Sequence, residues 1–190
     1  MNEKELIQQA IIGNQQAFRF LVKKYERLVF HIAGRLISRQ DDLEDLCQDV
    51  FIKVFKKLPS FRSDSKLSTW IATIAYREAI DYLNKNKIKT EEFNTEILPR
   101  DFESCSKINP ENISIKEEQK ILILKSIERL PKQYKTILNM FYLEEFSIKE
   151  IEEITSMPEG TVKNYIFRAR TLLKEELIKQ QDFKEVNYEN

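Results

Sequence analysis

Five side chains near the C-terminal end, Lys163, Asn164, Phe167, Arg168 and Arg170, alternate with Val162, Ile166, Ala169 and Leu173. The apolar four repeat at three- and four-residue spacing, so a helix from Pro158 to about Leu177 buries them and displays the other five. Cations of this kind neutralise phosphates, an amide hydrogen-bonds base edges, and an aromatic ring packs on a thymine methyl. Gly160 and Thr161 fall in the first turn, where backbone N–H groups and a missing side chain let a phosphate approach. Upstream, Ser147 to Ile154 reads as a two-turn helix and Thr155-Ser156 as a short turn, which together complete a helix-turn-helix. Each of the two helices is preceded by Ser-x-x-Glu, at Ser147 to Glu150 and Ser156 to Glu159, the pattern of a capping box.

A second group lies between Phe61 and Lys89. Arg62, Lys66, Arg77, Lys85, Lys87 and Lys89 outnumber Asp64, Glu78 and Asp81, and they alternate with Trp70, Tyr76 and Tyr82. Cations and aromatic faces on one helix and its leading loop suit a single strand, whose unstacked bases need π-surfaces and whose backbone needs positive charge. Trp70 and Tyr82 also stand at core spacing, so for Trp70 packing and base stacking are balanced; Tyr76 reads better as a contact residue. A third group is the polar face Asp42, Glu44, Asp45, Gln48, Asp49 and Lys53, opposite Leu46, Cys47 and Phe51. By spacing alone it reads as a solvated acidic face. Asp45 and Asp49 form an i, i+4 carboxylate pair, but no nucleophile–base set or glycine-rich phosphate loop accompanies them, which excludes an enzyme. With His31 as the single histidine and Cys47 and Cys105 far apart, no metal or other cofactor is expected. Cys47 reads as a small buried hydrophobe.

These groups need helices to hold them. The chain has 190 residues, 33% of them charged, with 3 Gly and 5 Pro, a composition for an all-α protein of one or two small domains. Gly13 and Asn14 end a short first helix and cap a second, in which Leu21, Val22, Tyr25, Leu28, Val29, Ile32, Ala33 and Leu36 sustain one buried face. Asp41, three residues ahead of Glu44, reads as the cap of a third helix that ends at Leu58-Pro59. A fourth carries Leu67, Trp70, Ile71, Ile74, Ala75, Ala79, Tyr82 and Leu83 and ends near Asn86. Residues 88 to 113 lose the periodicity, are net acidic, contain Pro99 and Pro110, and read as a linker. Helical spacing returns from Ser114 to Leu130, stops at Pro131, and resumes with Ile137, Leu138, Phe141 and Tyr142. Lys plus Arg equal Asp plus Glu at 31 each, so affinity for DNA rests on local clusters and is weak in isolation. No window is long and apolar enough to span a bilayer, and Met1 to Glu5 lacks a leader pattern, so the expectation is a cytoplasmic protein with no direct membrane insertion.

In this order the pieces resemble the extracytoplasmic-function (ECF) sigma factors of bacterial RNA polymerase. Asp45-Leu46-Cys47-Gln48-Asp49-Val50-Phe51 is similar to the family's Asp-Leu-x-Gln-Glu-x-Phe segment of region two. Phe61-Arg62, Ser68 to Ala75 and Asp81-Tyr82-Leu83 are similar to the stretch that melts and reads the minus-ten element. Leu130-Pro131, Glu150-Ile151, Gly160 to Lys163, Arg168-Ala169-Arg170 and Leu173 are similar to region four, which binds the minus-thirty-five element. The resemblance implies two small helical domains joined by a flexible linker: region two over 1–87, linker 88–116, region four over 117–178, and a polar, frayed tail at 179–190. It implies that Asp45, Gln48, Asp49, Phe51 and Lys53 dock on the β′ clamp helices of core RNA polymerase and that region four also meets the β flap. On promoter DNA it implies minus-ten contacts from Phe61, Arg62, Asp64, Ser65, Lys66, Trp70, Tyr76, Arg77, Asn84 and Lys85, and minus-thirty-five contacts from Gly160, Thr161, Lys163, Asn164, Phe167, Arg168 and Arg170. An anti-sigma factor that covers these surfaces is typical of the family. The chain departs from the family at Tyr76 and Arg77, at Asn84, and at Asn164-Tyr165, so the docking mode transfers but the base sequence read does not.

Two other readings compete. A conventional helix-turn-helix regulator binds duplex DNA as a dimer and needs no polymerase. A helical interaction protein has no DNA role and is indifferent to loss of Lys163 and Arg168.

Overall fold

A computed structural model describes residues 2–91 and 115–188, with side chains for 2–86 and 122–179. Among the described residues all regular structure is helical. Helix α1 (Glu3–Ile11) is opened by Asn2, whose side chain accepts the Glu5 N–H at 2.8 Å while the Glu5 carboxylate accepts the Asn2 N–H at 3.0 Å. Gly13, at φ +91°, reverses the chain, a backbone conformation costly for a side chain with a Cβ. Asn14 then caps α2 (Gln15–Gly34) by accepting the N–H groups of Gln16 and Ala17.

Of the predicted apolar stripe, Leu21, Tyr25, Leu28, Val29, Ile32 and Ala33 of α2 are buried, as is Leu36 just beyond it, whereas Val22 is half-buried; Ala17, one turn ahead, is buried with them. Helix α3 (Gln40–Lys57) starts one residue before its predicted cap. Arg39 occupies the cap position without a side-chain bond, and Asp41 and Asp42 lie inside the first turn, where carboxylates complement the helix dipole instead of capping it. A 3-10 turn (Leu58–Ser60) leads through the loop to α4 (Leu67–Glu91), whose backbone continues past the predicted end near Asn86. Leu67, Thr69, Ile71, Ala72, Ile74, Ala75 and Ala79 of α4 are all buried. Those positions go round the helix rather than along one face, as in a helix packed on several sides.

The C-terminal half comprises α5 (Ile115–Glu128), α6 (Lys132–Leu138), a π-helical turn (Asn139–Leu143), α7 (Ile148–Thr155) and α8 (Glu159–Tyr188). The remainder of the predicted linker, with Cys105, lies outside the described residues. The box at Ser147 forms, its hydroxyl accepting the Glu150 N–H and the Glu150 carboxylate accepting the Ser147 N–H. The box at Ser156 does not form. Ser156 takes a left-handed φ of 58° to end α7 and is thereby unavailable as the cap of α8. Nor does α8 stop near Leu177: its backbone runs to Tyr188, through Lys, Glu and Gln residues that are good helix formers although polar.

The two halves pack on one another. Helix α4 lies against α2 and α3 on one side and against α7 on the other, and the end of α2 touches the π-helical turn. Buried Ile71, Ala72 and Ala75 therefore belong to one apolar cluster with Met140, Phe146, Ile151 and Ile154.

Candidate nucleic-acid interface

Helices α7 and α8 meet through Ile151, Ile154, Val162 and Ile166, all buried, which fixes the angle at which α8 is displayed. On the outer face Lys163, Asn164, Phe167, Arg168 and Arg170 are exposed together, as the periodicity predicted. Phe167 is 70% exposed, an unusual position for a phenyl ring that the fold itself does not need. Arg170 is held in place: its Nε donates to the Tyr142 hydroxyl, and its guanidinium stands 5.4 Å from the centroid of that ring, leaving the terminal N–H groups as donors. Lys163 pairs with Glu159 one turn earlier at 2.6 Å, and that hydrogen bond holds the Glu159 carboxyl below the usual range. A Cβ on Gly160 would meet nothing within 4 Å, so packing does not require the glycine. The Thr161 N–H already donates to Pro158 O at 2.8 Å, which leaves the Thr161 hydroxyl, not its amide, for an anion.

The second group divides. Arg62 and Asp64 are exposed and Ser65 half-buried in the loop before α4, and Arg77, Asn84 and Lys85 are exposed along its later turns. Trp70 is partly buried, packed on Phe61 at a centroid distance of 5.2 Å and against the core, so packing takes the larger part of that residue. Tyr76 is half-buried; burial, and then the nearby Tyr165 of α8, raise its hydroxyl pKa. Lys66 reaches the Glu150 carboxylate at 3.0 Å, and the hydroxyl of buried Thr69 donates to the same group at 3.2 Å. Burial raises the pKa of Glu150, but hydrogen bonds from Ser147, Lys66 and Thr69 outweigh it and bring the carboxyl down to about 2. In the sequence Glu150 is legible as a cap alone, since nothing local marks its contact with α4.

On α3, Asp45, Gln48 and Asp49 are exposed on one face. Lys53 instead turns inward to Glu78 of α4 at 2.5 Å. Gln48 and Phe51 line a groove of about 620 Å³ between α2 and α3, with Phe18, Val22, Ile52 and Phe55 among its walls. Ile52 and Phe55 are half exposed there. The excess of apolar residues over 50–55, more than one buried face uses, was their signal in the sequence. Cys47 faces the same groove, and burial, with a smaller push from the Glu44 charge, raises its thiol to about 11, which makes it inert at neutral pH. Among the described residues no cluster of His, Cys, Asp or Glu is suited to a metal ion.

Comparison with known proteins agrees with this geometry. Residues 21–88 match Sigma-70 region 2 and residues 120–173 match Sigma-70 region 4. The chain is 32% identical over 175 residues to the ECF RNA polymerase sigma-E factor of Escherichia coli K12, covering 90% of this chain and 91% of that protein. It is 31% identical over 184 residues to the Haemophilus influenzae sigma-E factor, covering 93% and 96%. The fold is similar to that of the sigma factor RpoE from Bartonella quintana, solved with the anti-sigma factor NepR, at a TM-score of 0.69, 22% identity, and coverage of 84% and 96%. It is also similar to CnrH, solved with the cytosolic domain of CnrY, at 0.63, 19% identity, and coverage of 93% and 97%. A conventional helix-turn-helix regulator is not favoured, because the similarity runs through both halves. The chain belongs to the ECF family of RNA polymerase sigma factors.

Proposed function

We propose that this sigma factor docks on core RNA polymerase through the α3 face, reads the minus-thirty-five duplex with α8, and captures the opened minus-ten strand with α4 and its leading loop. The observation that carries the reading is that one chain displays both the exposed α8 face and the exposed Asp45, Gln48 and Asp49 face with its apolar groove. An acidic rim around an apolar trough suits a basic, amphipathic pair of helices, which is the chemistry proposed for the clamp. Region two is assigned to residues 1–87, the linker to 88–116 and region four to 117–178.

No covalent step is involved. Bases held on aromatic and cationic side chains shift the duplex towards its open form by mass action. Two weak DNA surfaces become selective together once polymerase fixes both, because the second contact forms at high effective concentration. The site of action is proposed to be the cytoplasm; no described helix is long and apolar enough to cross a membrane. The sigma factors of similar fold, RpoE and CnrH, were solved with NepR and with CnrY, and an anti-sigma partner is proposed for this chain as well.

The test is run-off transcription from a genomic fragment library, with purified core polymerase alone and with this protein. Discrete new start sites sharing two upstream motifs are expected. A folded protein and active core that yield no new starts overturn the reading.

A further inference from the structure

We propose that the outer face of α2 is a further nucleic-acid surface, which takes the backbone of the opened promoter strand and stacks one of its bases on Phe20. The inference rests on the function proposed above for the identity of the strand. Arg19, Lys23 and Arg27 are exposed on α2 at i, i+4 and i+8, so each of three successive turns carries one cation, about 6 Å from the next along the axis. Lys24 is exposed beside them. Phe20 precedes Lys23 by three residues and Lys24 by four, shares their face, and is 62% exposed.

No acid interrupts this face. Glu26, the single carboxylate of α2, lines the groove shared with α3. Lys24 is held by Glu3 of α1, whereas Arg19, Lys23 and Arg27 have no ion-pair partner among the described residues. The fold supplies no reason for the arrangement. Like charges one turn apart oppose helix formation, and a phenyl ring in water adds nothing to a core that α2 meets through Leu21, Tyr25, Leu28 and Ile32. A single nucleic-acid strand answers both features, because its phosphates meet the cations and an unstacked base meets the ring.

Charge separates this face from that of α3. Asp45, Gln48 and Asp49 suit a basic partner, which the α2 row would repel, so the two faces serve partners of opposite sign and can be occupied together. An opened promoter strand is an anion that the proposed complex already contains. Helix α2 packs directly on α4, the helix assigned to strand capture. Packed helices lie about 10 Å apart, a distance that a few nucleotides of one strand can cover.

The test titrates the full chain with a fluorescein-labelled oligothymidylate of about 20 nucleotides, and with a duplex of equal length, by anisotropy across a salt series. Three proteins are compared: wild type, Arg19→Gln combined with Lys23→Gln and Arg27→Gln, and Phe20→Ala. Lys24 is left in place because Glu3 ties α1 to it, and circular dichroism checks that each variant is folded. Loss of three phosphate contacts should weaken single-strand binding about tenfold and lower the salt slope of log affinity by about 2. Phe20→Ala should weaken single-strand binding about fivefold and leave both the slope and duplex affinity unchanged. Wild-type affinity and slope in the triple variant overturn the proposal, as does wild-type single-strand affinity in Phe20→Ala. Labelled polyglutamate whose binding falls as far in the triple variant as that of the oligonucleotide also overturns it, since the face would then serve an acidic protein. In run-off assays the triple variant should use the same start sites several-fold less often; unchanged initiation removes the promoter strand from this face. Oligonucleotide binding that responds as expected in a chain that directs no transcription would support the surface and overturn the assigned function.

Discussion

The two surfaces proposed to meet DNA are built differently. The α8 face is finished in the free chain: Val162, Ile166 and Ala169 are buried behind it against α6 and α7, with Leu173 half-buried, its polar and aromatic positions are in solvent, and Arg170 is braced on Tyr142. The α4 face is mixed: Arg62, Asp64, Arg77, Asn84 and Lys85 are exposed, Lys66 pairs with Glu150 yet stays largely in solvent, and the aromatic members Trp70 and Tyr76 are half-buried. The difference follows from the two ligands. Duplex DNA presents ordered phosphates and groove edges to a rigid helix, which charged side chains can await in water. Unstacked bases need aromatic surface, and such surface left open is an association hazard that another part of the protein covers.

Arg168→Ala should break the open side of the comparison most visibly. Loss of one exposed groove contact, worth about 1–3 kcal/mol, lowers initiation at a cognate promoter by roughly tenfold or more, while melting temperature and core affinity stay at wild-type values. A fall in all three would mean that the α8 face is not independent of the fold. Tyr76→Ala should behave in the opposite manner. It is expected to slow strand opening several-fold, read by permanganate reactivity of promoter thymines, and also to lower the melting temperature by about 2–4 °C for each kcal/mol of packing lost. An unchanged melting temperature would mean that Tyr76 takes no part in the packing between α4 and the C-terminal half.

Asp49→Ala tests a face that takes no part in the packing between the two halves. A few-fold weaker association with core polymerase is expected in a pull-down, with stability intact, since the side chain is exposed. Equal affinity would remove Asp49 from the docking surface. The last test takes Glu150. Its carboxyl sits at about 2 when folded against an ordinary 4.5, so it contributes stability at neutral pH that is lost as pH falls from about 4.5 towards 2. Glu150→Gln should flatten that part of the acid dependence in thermal melts between pH 5 and pH 2. The same slope in both proteins would mean that the hydrogen bonds from Ser147, Lys66 and Thr69 do not hold the Glu150 carboxylate.

The outward faces were legible in the sequence because a helix face repeats every three to four residues, a signal contained within a single element. Lys163, Asn164, Phe167, Arg168 and Arg170 could be placed from Val162, Ile166 and Ala169 alone, and Asp45, Gln48 and Asp49 from Leu46 and Val50. Element ends were less legible. Asp41 and Ser156 have the right chemistry for caps, but the chain path put Arg39 in one cap position and gave Ser156 the left-handed turn. Lys53 likewise reads as part of the acidic face and instead meets Glu78 across the domain.

Local order in the chain determined which residues form helices, which faces are apolar, and what chemistry each polar face can do. Tertiary structure alone decided which faces are covered. Thr69 and Glu150 are 81 residues apart in sequence and His31 and Glu144 are 113 apart, so no periodicity links them. A carboxylate that caps its own helix looks the same in sequence whether or not a lysine from another helix shares it. That choice is made when α7 is laid on α4, because pairing of charges depends on distance in space and not on order along the chain.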